Sequence, residues 1–193
     1  MAGCAGCENC SCDSNPKVPI RIGIMIGSDS DLVQCLDGLQ WLSELAPKHV
    51  RVEAVLTASI HRNTQVALEN LEDYDVDVWV IGAGMANHLT GTSDAYLRYT
   101  LKKKTPVIGV VFEGKTEKDN IAGILSVEKV PGTQVIFDHE KHFGALGFWY
   151  ACRLAAAGNF PEIKISEAKS PKTRTLQQAI EVAKQLIKEK EGK

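Results

Sequence analysis

The sequence predicts an α/β fold built on a parallel sheet. Strand-like and helix-like patterns alternate along the chain. The candidate strands are short and largely apolar, as parallel strands are when helices cover both faces. Most of them run into a loop rich in glycine or small polar residues before the next helical pattern begins. No internal repeat interrupts this order.

The first strand is read at Ile20–Ile26, where Ile20, Ile22, Ile24 and Ile26 alternate with Arg21, Gly23 and Met25. Gly27-Ser-Asp-Ser-Asp31 is its loop. Asp29, Ser30 or Asp31 each suit the N-cap of the helix that follows, whose apolar stripe is Leu32, Leu36, Leu39 and Leu42. Val33, Cys35 and Leu45 flank that stripe, and Pro47 closes it. Val50–Leu56 alternates as the second strand. Its loop is Thr57–Asn63, and a helix over about 64–74 turns Val66, Ala67, Leu71 and Tyr74 inward. The third strand is Val76–Ile81, with the loop Gly82–Gly91 and a helix to about Lys103.

A fourth strand covers Pro106–Phe112. Glu113–Asn120 reads as a polar connection to the short apolar piece Ile121–Val127, and Gln134–Phe137 as a weaker fifth strand. His142–Ala157 is a helix apolar on most faces, which implies burial against another subunit. Beyond a linker, Leu176, Ala179, Ile180, Ala183, Leu186 and Ile187 repeat at helical spacing, marking a docked amphipathic helix or an oligomer arm. Short right-handed crossovers then give a five-stranded sheet of flavodoxin-like order 2-1-3-4-5. The expected organisation is a Cys-rich, disordered tail (1–18), a three-layer α-β-α sandwich carrying the chemistry (19–158), and a linker with a C-terminal helix (159–193).

A chain of 193 residues is most economically one domain with a real core. Its formal net charge of -2 supplies no field for nucleic acid or an anionic membrane, so neither is an expected partner. An anionic ligand must be held by a few local groups. No apolar run approaches the roughly 20 residues of a membrane span, and the N-terminus resembles neither a secretory signal nor a transit peptide. A cytoplasmic location is the expectation. Cys35 and Cys152 lie in apolar helical patterns and read as core residues. Cys4, Cys7, Cys10 and Cys12 are spaced closely enough to wrap a zinc ion or an iron–sulfur cluster. The final one-residue spacing departs from the ferredoxin pattern, however, and no histidine accompanies it. A tail without metal is the favoured alternative.

In order 2-1-3, the loops after strands 1, 2 and 3 meet at one rim, where open α/β sheets bind ligands. In the first loop, Ser28, Ser30 and backbone N–H groups suit phosphate oxygens, and Asp31 suits ribose hydroxyls. Taken alone, these residues are as readily helix caps. In the second, Ser59, His61 and Arg62 stand together. The arginine fork fits a phosphate, and a histidine both gives and takes protons near neutrality. The plainer alternative is an exposed loop histidine beside a salt-bridging arginine. In the third, Gly82 and Gly84 allow close backbone approach, and Asn87 and His88 suit a planar polar ring or a carboxylate. Here the plain alternative is a turn and a helix start. Gly82-Ala-Gly84 lacks the third glycine of a dinucleotide fingerprint, because Asn87 stands there. His139 and His142 read as a surface pair.

At these loops the chain resembles the aminoimidazole ribonucleotide carboxylases and N5-carboxyaminoimidazole ribonucleotide mutases of purine biosynthesis. Gly27-Ser-Asp-Ser-Asp31 is similar to that family's Gly-Ser-x-Ser-Asp loop, and Ser59-Ile-His-Arg62 to its Ser-Ala-His-Arg loop. Gly82-Ala-Gly-Met-Ala-Asn-His-Leu-Thr-Gly91 is similar to the mutase class's Gly-Ala-Gly-Gly-Ala-Ala-His-Leu-Pro-Gly. The resemblance covers roughly residues 20–158. It implies that Ser28, Asp31 and Arg62 bind ribose phosphate, and that His61 is the general acid/base. Ser59 and Gly84 would join the substrate site, and His88 with the backbone near Leu89 and Thr90 would line the imidazole and carboxylate pocket. It further implies a ribonucleotide substrate and carbon dioxide, a homo-octamer, and neither metal nor organic cofactor.

The chain departs from the family pattern at Ile60, Met85 and Thr90, where alanine, glycine and proline are usual. Asn87 with Thr90 leans toward the direct carboxylases, whereas His88 and Arg62 lean toward the mutases. Downstream, the family's Ser-Gly-x-Asp-Ser and Met-Pro-x-Gly segments are poorly matched, and Glu113 and Lys115 are expected near the mouth of the site. Two rival classes remain at this point. One is a flavin or nucleotide binder on the same fold, disfavoured because the three loops hold no Trp, Tyr or Phe. The other is a scaffold that binds partners through its last helix.

Overall fold

The computed structural model describes residues 18–46 and 48–192. Apart from Val18, the tail assigned to 1–18, with its four cysteines, lies outside the described residues. Four parallel strands, β1 (Ile20–Ile26), β2 (Val50–Thr57), β3 (Val78–Ala83) and β4 (Val107–Val111), form one sheet in the order β2-β1-β3-β4. Strand alternation sorts the apolar side chains into two cores. Ile22, Ile24, Ile26, Val78, Val80, Ile108 and Val110 pack on one side with Leu42, Phe148 and Cys152. Met25, Trp79, Ile81 and Val107 pack on the other with Ala67, Leu71, Leu89 and Leu97. Helices α1 (Leu36–Leu45) and α5 (Gly144–Ala157) thereby cover the first face, and α2 (Thr64–Asp73) and α3 (His88–Ala95) the second.

The expected fifth strand is a correction. Gln134–Phe137 does run beside β4, but only Ile136 pairs in parallel register, opposite Ile108. Its neighbours are bonded elsewhere: the Gln134 N–H donates to Asp94 (3.0 Å) and the Val135 N–H to Thr133 Oγ1 (3.3 Å). A turn at Asp138 then carries the chain to a second single bridge, Phe143 opposite Val111. The edge of β4 is covered by two touches instead of a ladder.

Other differences are local. A 3-10 stretch, Asp29–Cys35, precedes α1, and Ser28 caps it instead of Asp29, Ser30 or Asp31. The stretch expected as a polar connection begins a helix, α4 (Glu117–Glu128). Thr116 and Asp119 close a reciprocal capping box at its start. Val66 on α2 faces out, 49% exposed. Cys35 and Cys152 are fully buried, and burial pushes the Cys35 thiol up to about 12. His142, expected at the surface, is buried against Phe137, while His139 is exposed and bonded to Glu128. Burial holds the His142 imidazole below its ordinary range.

The linker is tied down where Gln134 and Lys164 exchange two hydrogen bonds (2.7 and 2.8 Å). Helix α6 (Leu176–Glu191), capped by Thr175 and Gln178, buries none of its residues, so it is not docked on the sandwich. Among the described residues no helix is long and apolar enough to cross a membrane.

Beneath the third loop lies a buried ion pair. Asp94 meets Arg98 at 2.9 Å, and Arg98 also donates to the carbonyls of Lys103 (2.7 Å) and Thr105 (2.8 Å). Asp94 in turn accepts from the Gln134 backbone, so one pair joins α3, the π-helical turn at Tyr96–Thr100 and the edge segment. Removing one partner strands a buried charge. Arg98→Met is expected to destabilise the fold by about 3–5 kcal/mol, read as a lower urea midpoint.

Candidate active site

The site is built by register. With β1 between β2 and β3, Ile26 lies opposite both Thr57 and Gly82, so three chain segments leave the sheet side by side. Two more hydrogen bonds carry the ladder into the loops: Gly27 N–H to the Gly82 carbonyl (2.9 Å) and Ala58 N–H to the Ile26 carbonyl (2.8 Å). The approach is close. A Cβ on Gly27 would lie 2.8 Å from that of Ala83, so only glycine fits at this exit.

Beyond the strand ends a cleft of about 340 Å³ is lined by all three loops. The first contributes Gly27, Ser28, Ser30 and Asp31; the second Ser59, Ile60, His61 and Arg62; the third Ala83, Gly84, Met85, Ala86, His88 and Leu89. Of the residues singled out in the sequence, Ser28, Ser30, Asp31, Ser59, His61, Arg62, Gly84, His88 and Leu89 are thus brought together. Met85 and Ala86 join them. Met85 carries a signal visible only in the backbone, a left-handed φ of +54°.

Thr90 is placed differently. It is fully buried, its N–H donates to Asn87 Oδ1 (3.1 Å), and its hydroxyl lies 3.1 Å from the Ile81 carbonyl and 2.9 Å from Asn87 Oδ1. Asn87 is equally engaged, donating to the Val110 carbonyl at 2.8 Å. Both are fully buried, and neither lines the cleft. Together they pin the third loop to β3 and β4. Glu113 and Lys115 do not line the cleft either; the Glu113 backbone exchanges two hydrogen bonds with the Gln34 amide. Ala58, with Gly27, Ser59 and Arg62, lines a second cavity of about 320 Å³ alongside the first.

The cleft has a cationic and an acidic side chain. Arg62 makes no ion pair among the described residues, and its backbone N–H is turned onto Ser59 Oγ (3.4 Å). Ser28 Oγ lies 2.9 Å from Ser30 Oγ, so the two hydroxyls present one polar patch at the start of the helical segment. Asp31 is half-buried, and burial raises its carboxyl above the ordinary range, opposed by the Gly84 backbone N–H. His61 and His88 are both exposed at the surface of the cleft. An arginine, paired hydroxyls, a carboxylate and two imidazoles in one cleft suit a phosphorylated, hydroxyl-bearing ligand with a titratable ring. Among the described residues no group of three or more His, Cys, Asp or Glu side chains clusters to hold a metal ion.

The family model for AIR carboxylase matches residues 21–148, which span every strand and all three loops. The chain belongs to the AIR carboxylase family. No curated protein matches it. Among solved structures, a PurE of Treponema denticola aligns with a TM-score of 0.53 at 15% identity, covering 89% of this chain and 96% of that one. A PurE2 variant of the same organism aligns with the same score and identity over 90% and 97%. At this identity the two structures share the fold. Family membership makes the chain a PurE-type enzyme of purine biosynthesis.

Asp31 gives this site a testable sign. Its folded-state pKa is raised, so above the ordinary carboxyl range near about 3.9 the ionised group costs the fold stability. That cost is absent at lower pH, where both states are protonated, and is complete above the raised value. Asp31→Asn is therefore expected to unfold at a higher temperature than the parent at about pH 7 and at the same temperature at about pH 3. Calorimetric scans at the two pH values check this.

Proposed function

We propose that the chain converts N5-carboxyaminoimidazole ribonucleotide into 4-carboxyaminoimidazole ribonucleotide. The observation that supports this most is the assembly of His61 with Ser28, Asp31, Arg62 and His88 in a single cleft of a family member. Ser28 and Arg62 take the phosphate, Asp31 the ribose hydroxyls, and Ser59 and Gly84 shape the floor. His88 and Leu89 lie against the imidazole. No metal or organic cofactor enters the scheme.

His61 carries the protons. As imidazolium it donates one while the N–C bond of the carbamate breaks, releasing carbon dioxide and leaving aminoimidazole ribonucleotide. The electron-rich ring carbon then attacks that carbon dioxide, and neutral His61 removes the ring proton to restore aromaticity. The net change is a carboxyl moved from nitrogen to carbon, with His61 back in its starting state. Ile60 and Ala83 supply the apolar wall near the trapped gas.

A second reading is direct carboxylation of aminoimidazole ribonucleotide by carbon dioxide from solvent. It is favoured by Asn87 and Thr90, which match the carboxylase pattern and form the buried lock of the third loop. We also propose a homo-oligomer, an octamer by family resemblance, acting in the cytoplasm, with the sandwich over 19–158 as the catalytic unit. Leu146 (63% exposed) and Tyr150 (42%) on α5 are the apolar surface such an assembly would cover.

The deciding experiment offers the purified protein the N5-carboxylated nucleotide in one reaction and aminoimidazole ribonucleotide with bicarbonate in another, following the C-carboxylated product. Product from the first reaction is expected; product from the second alone establishes the carboxylase; product from neither removes both readings. In the active reaction, His61→Asn is expected to lower turnover by about 10²–10⁴-fold with nucleotide binding retained. Arg62→Ala is expected to weaken nucleotide affinity by roughly 10- to 100-fold, the loss of one charge-assisted hydrogen bond, as read by calorimetric titration.

A further inference from the structure

Among the described residues, two that are not glycine hold a left-handed backbone, Lys102 and Met85, each at φ +54°. Lys102 has a local explanation. It follows the π-helical turn, where left-handed residues commonly end a helix, and its Nζ is held by the Ser166 carbonyl (3.2 Å) and the Glu167 carboxylate (3.1 Å). Met85 ends no helix. It sits in the third loop, between the close-packed exit of β3 and the Asn87 lock.

Its conformation is imposed from outside. Gly123 of α4 lies directly over it, where a Cβ would come within 2.6 Å of the Met85 carbonyl oxygen and 2.5 Å of Val111 Cγ1. Downstream, the Asn87 amide is fastened to Val110. The backbone at Met85 is clamped on both sides in a form that glycine adopts at no steric cost. A long side chain nevertheless stands there, 62% exposed, at the cleft.

The other exposed lining residues show what that side chain adds. Ser30, His61, Arg62 and His88 are polar, and Ala86 is short, whereas Ile60 is only partly exposed and Leu89 is buried. Met85 is the only long apolar side chain among the exposed residues lining the cleft. A thioether on an unbranched chain is apolar and adapts its shape to what lies beneath it.

We propose that Met85 is a specificity-determining residue that covers the cleft over the bound ribonucleotide and retains carbon dioxide there between the two half-reactions. This rests on the carboxyl-transfer reading above. When the carbamate N–C bond breaks, carbon dioxide has two fates: capture by the ring carbon, which yields the C-carboxylated nucleotide, or escape, which leaves aminoimidazole ribonucleotide and a reprotonated nitrogen. The Met85 side chain biases that partition toward capture.

The test compares the full-length protein with Met85→Gly and Met85→Leu, each given the N5-carboxylated nucleotide. The ratio of C-carboxylated product to released aminoimidazole ribonucleotide is measured after subtracting spontaneous decarboxylation. Met85→Gly removes the left-handed strain, so its unfolding midpoint is expected to be no lower than the parent's. Its product ratio is expected to fall by about tenfold, and Met85→Leu to restore most of it. An unchanged ratio in Met85→Gly overturns the role of Met85 while leaving the reaction intact. A parent protein that converts neither nucleotide overturns the reaction and this role together. An activity-independent readout is oxidation of Met85 by dilute hydrogen peroxide, followed by peptide mass spectrometry. Saturating 4-carboxyaminoimidazole ribonucleotide is expected to slow sulfoxide formation at Met85 severalfold. No protection in a protein shown to bind that nucleotide overturns the covering position.

Discussion

Everything functional in this chain depends on β1 lying between β2 and β3 in parallel register. The two hydrogen bonds that extend the ladder past the strand ends, Gly27 to Gly82 and Ala58 to Ile26, bring three loop origins to one place. A one-residue slip would turn every side chain of β1 to the opposite face, exchanging Met25 with the isoleucines between two cores that are each fully buried. Burial on both faces therefore specifies the register, and the register specifies the cleft. Glycine at position 27 is part of the same constraint, since the loops leave too close together to admit a side chain there.

The third loop is held by a different kind of force. Asn87 and Thr90 direct their side-chain hydrogen bonds to β3, β4 and each other, in a setting where an unmet polar group is costly. Farther along the chain, Asp94 and Arg98 form a second polar network that reaches the edge segment and the strand entry at Thr105. Buried polar groups of this kind add little net stability compared with apolar packing, but they admit few alternative arrangements. The result is a loop whose backbone is fixed at Ile81, Asn87 and Val110, while His88 and Met85 remain free to face the cleft.

Much of this was legible in the sequence because it rests on local pattern. Alternating isoleucines located β1, and the helical stripes located α1, α2 and α6. The grouping of Ser28, Asp31, His61, Arg62 and His88 followed once the strand order was inferred. What was not legible depends on tertiary partners. Gln134–Phe137 has strand-like residues, yet its N–H groups are claimed by Asp94 and Thr133. Thr90 and Asn87 look like ligand-binding residues by type, and only the fold reveals that their polar atoms are already satisfied. His142 reads as a surface residue until the turn at Asp138 folds it against Phe137. The start of α4 was legible in principle: Thr116-Glu-Lys-Asp119 is a capping-box spacing, obscured by the charge of the surrounding run.

Two energetic exceptions in the structure lie at the cleft. Asp31 keeps a carboxylate where burial disfavours its charge, and Met85 keeps a side chain where the backbone favours glycine. A fold does not hold such features by chance, because each is opposed by a simpler residue that would fit the same space. Asparagine would serve the backbone of the first loop as well as Asp31, and glycine would relax the third. Asparagine would lose the charge and the second acceptor oxygen that suit paired hydroxyls, and glycine would lose the apolar arm at the cleft. The two loops face each other through the Gly84 N–H and the Asp31 carboxylate. Both exceptions line the same cleft, so a ligand held there meets a half-buried carboxylate from the first loop and an apolar side chain from the third.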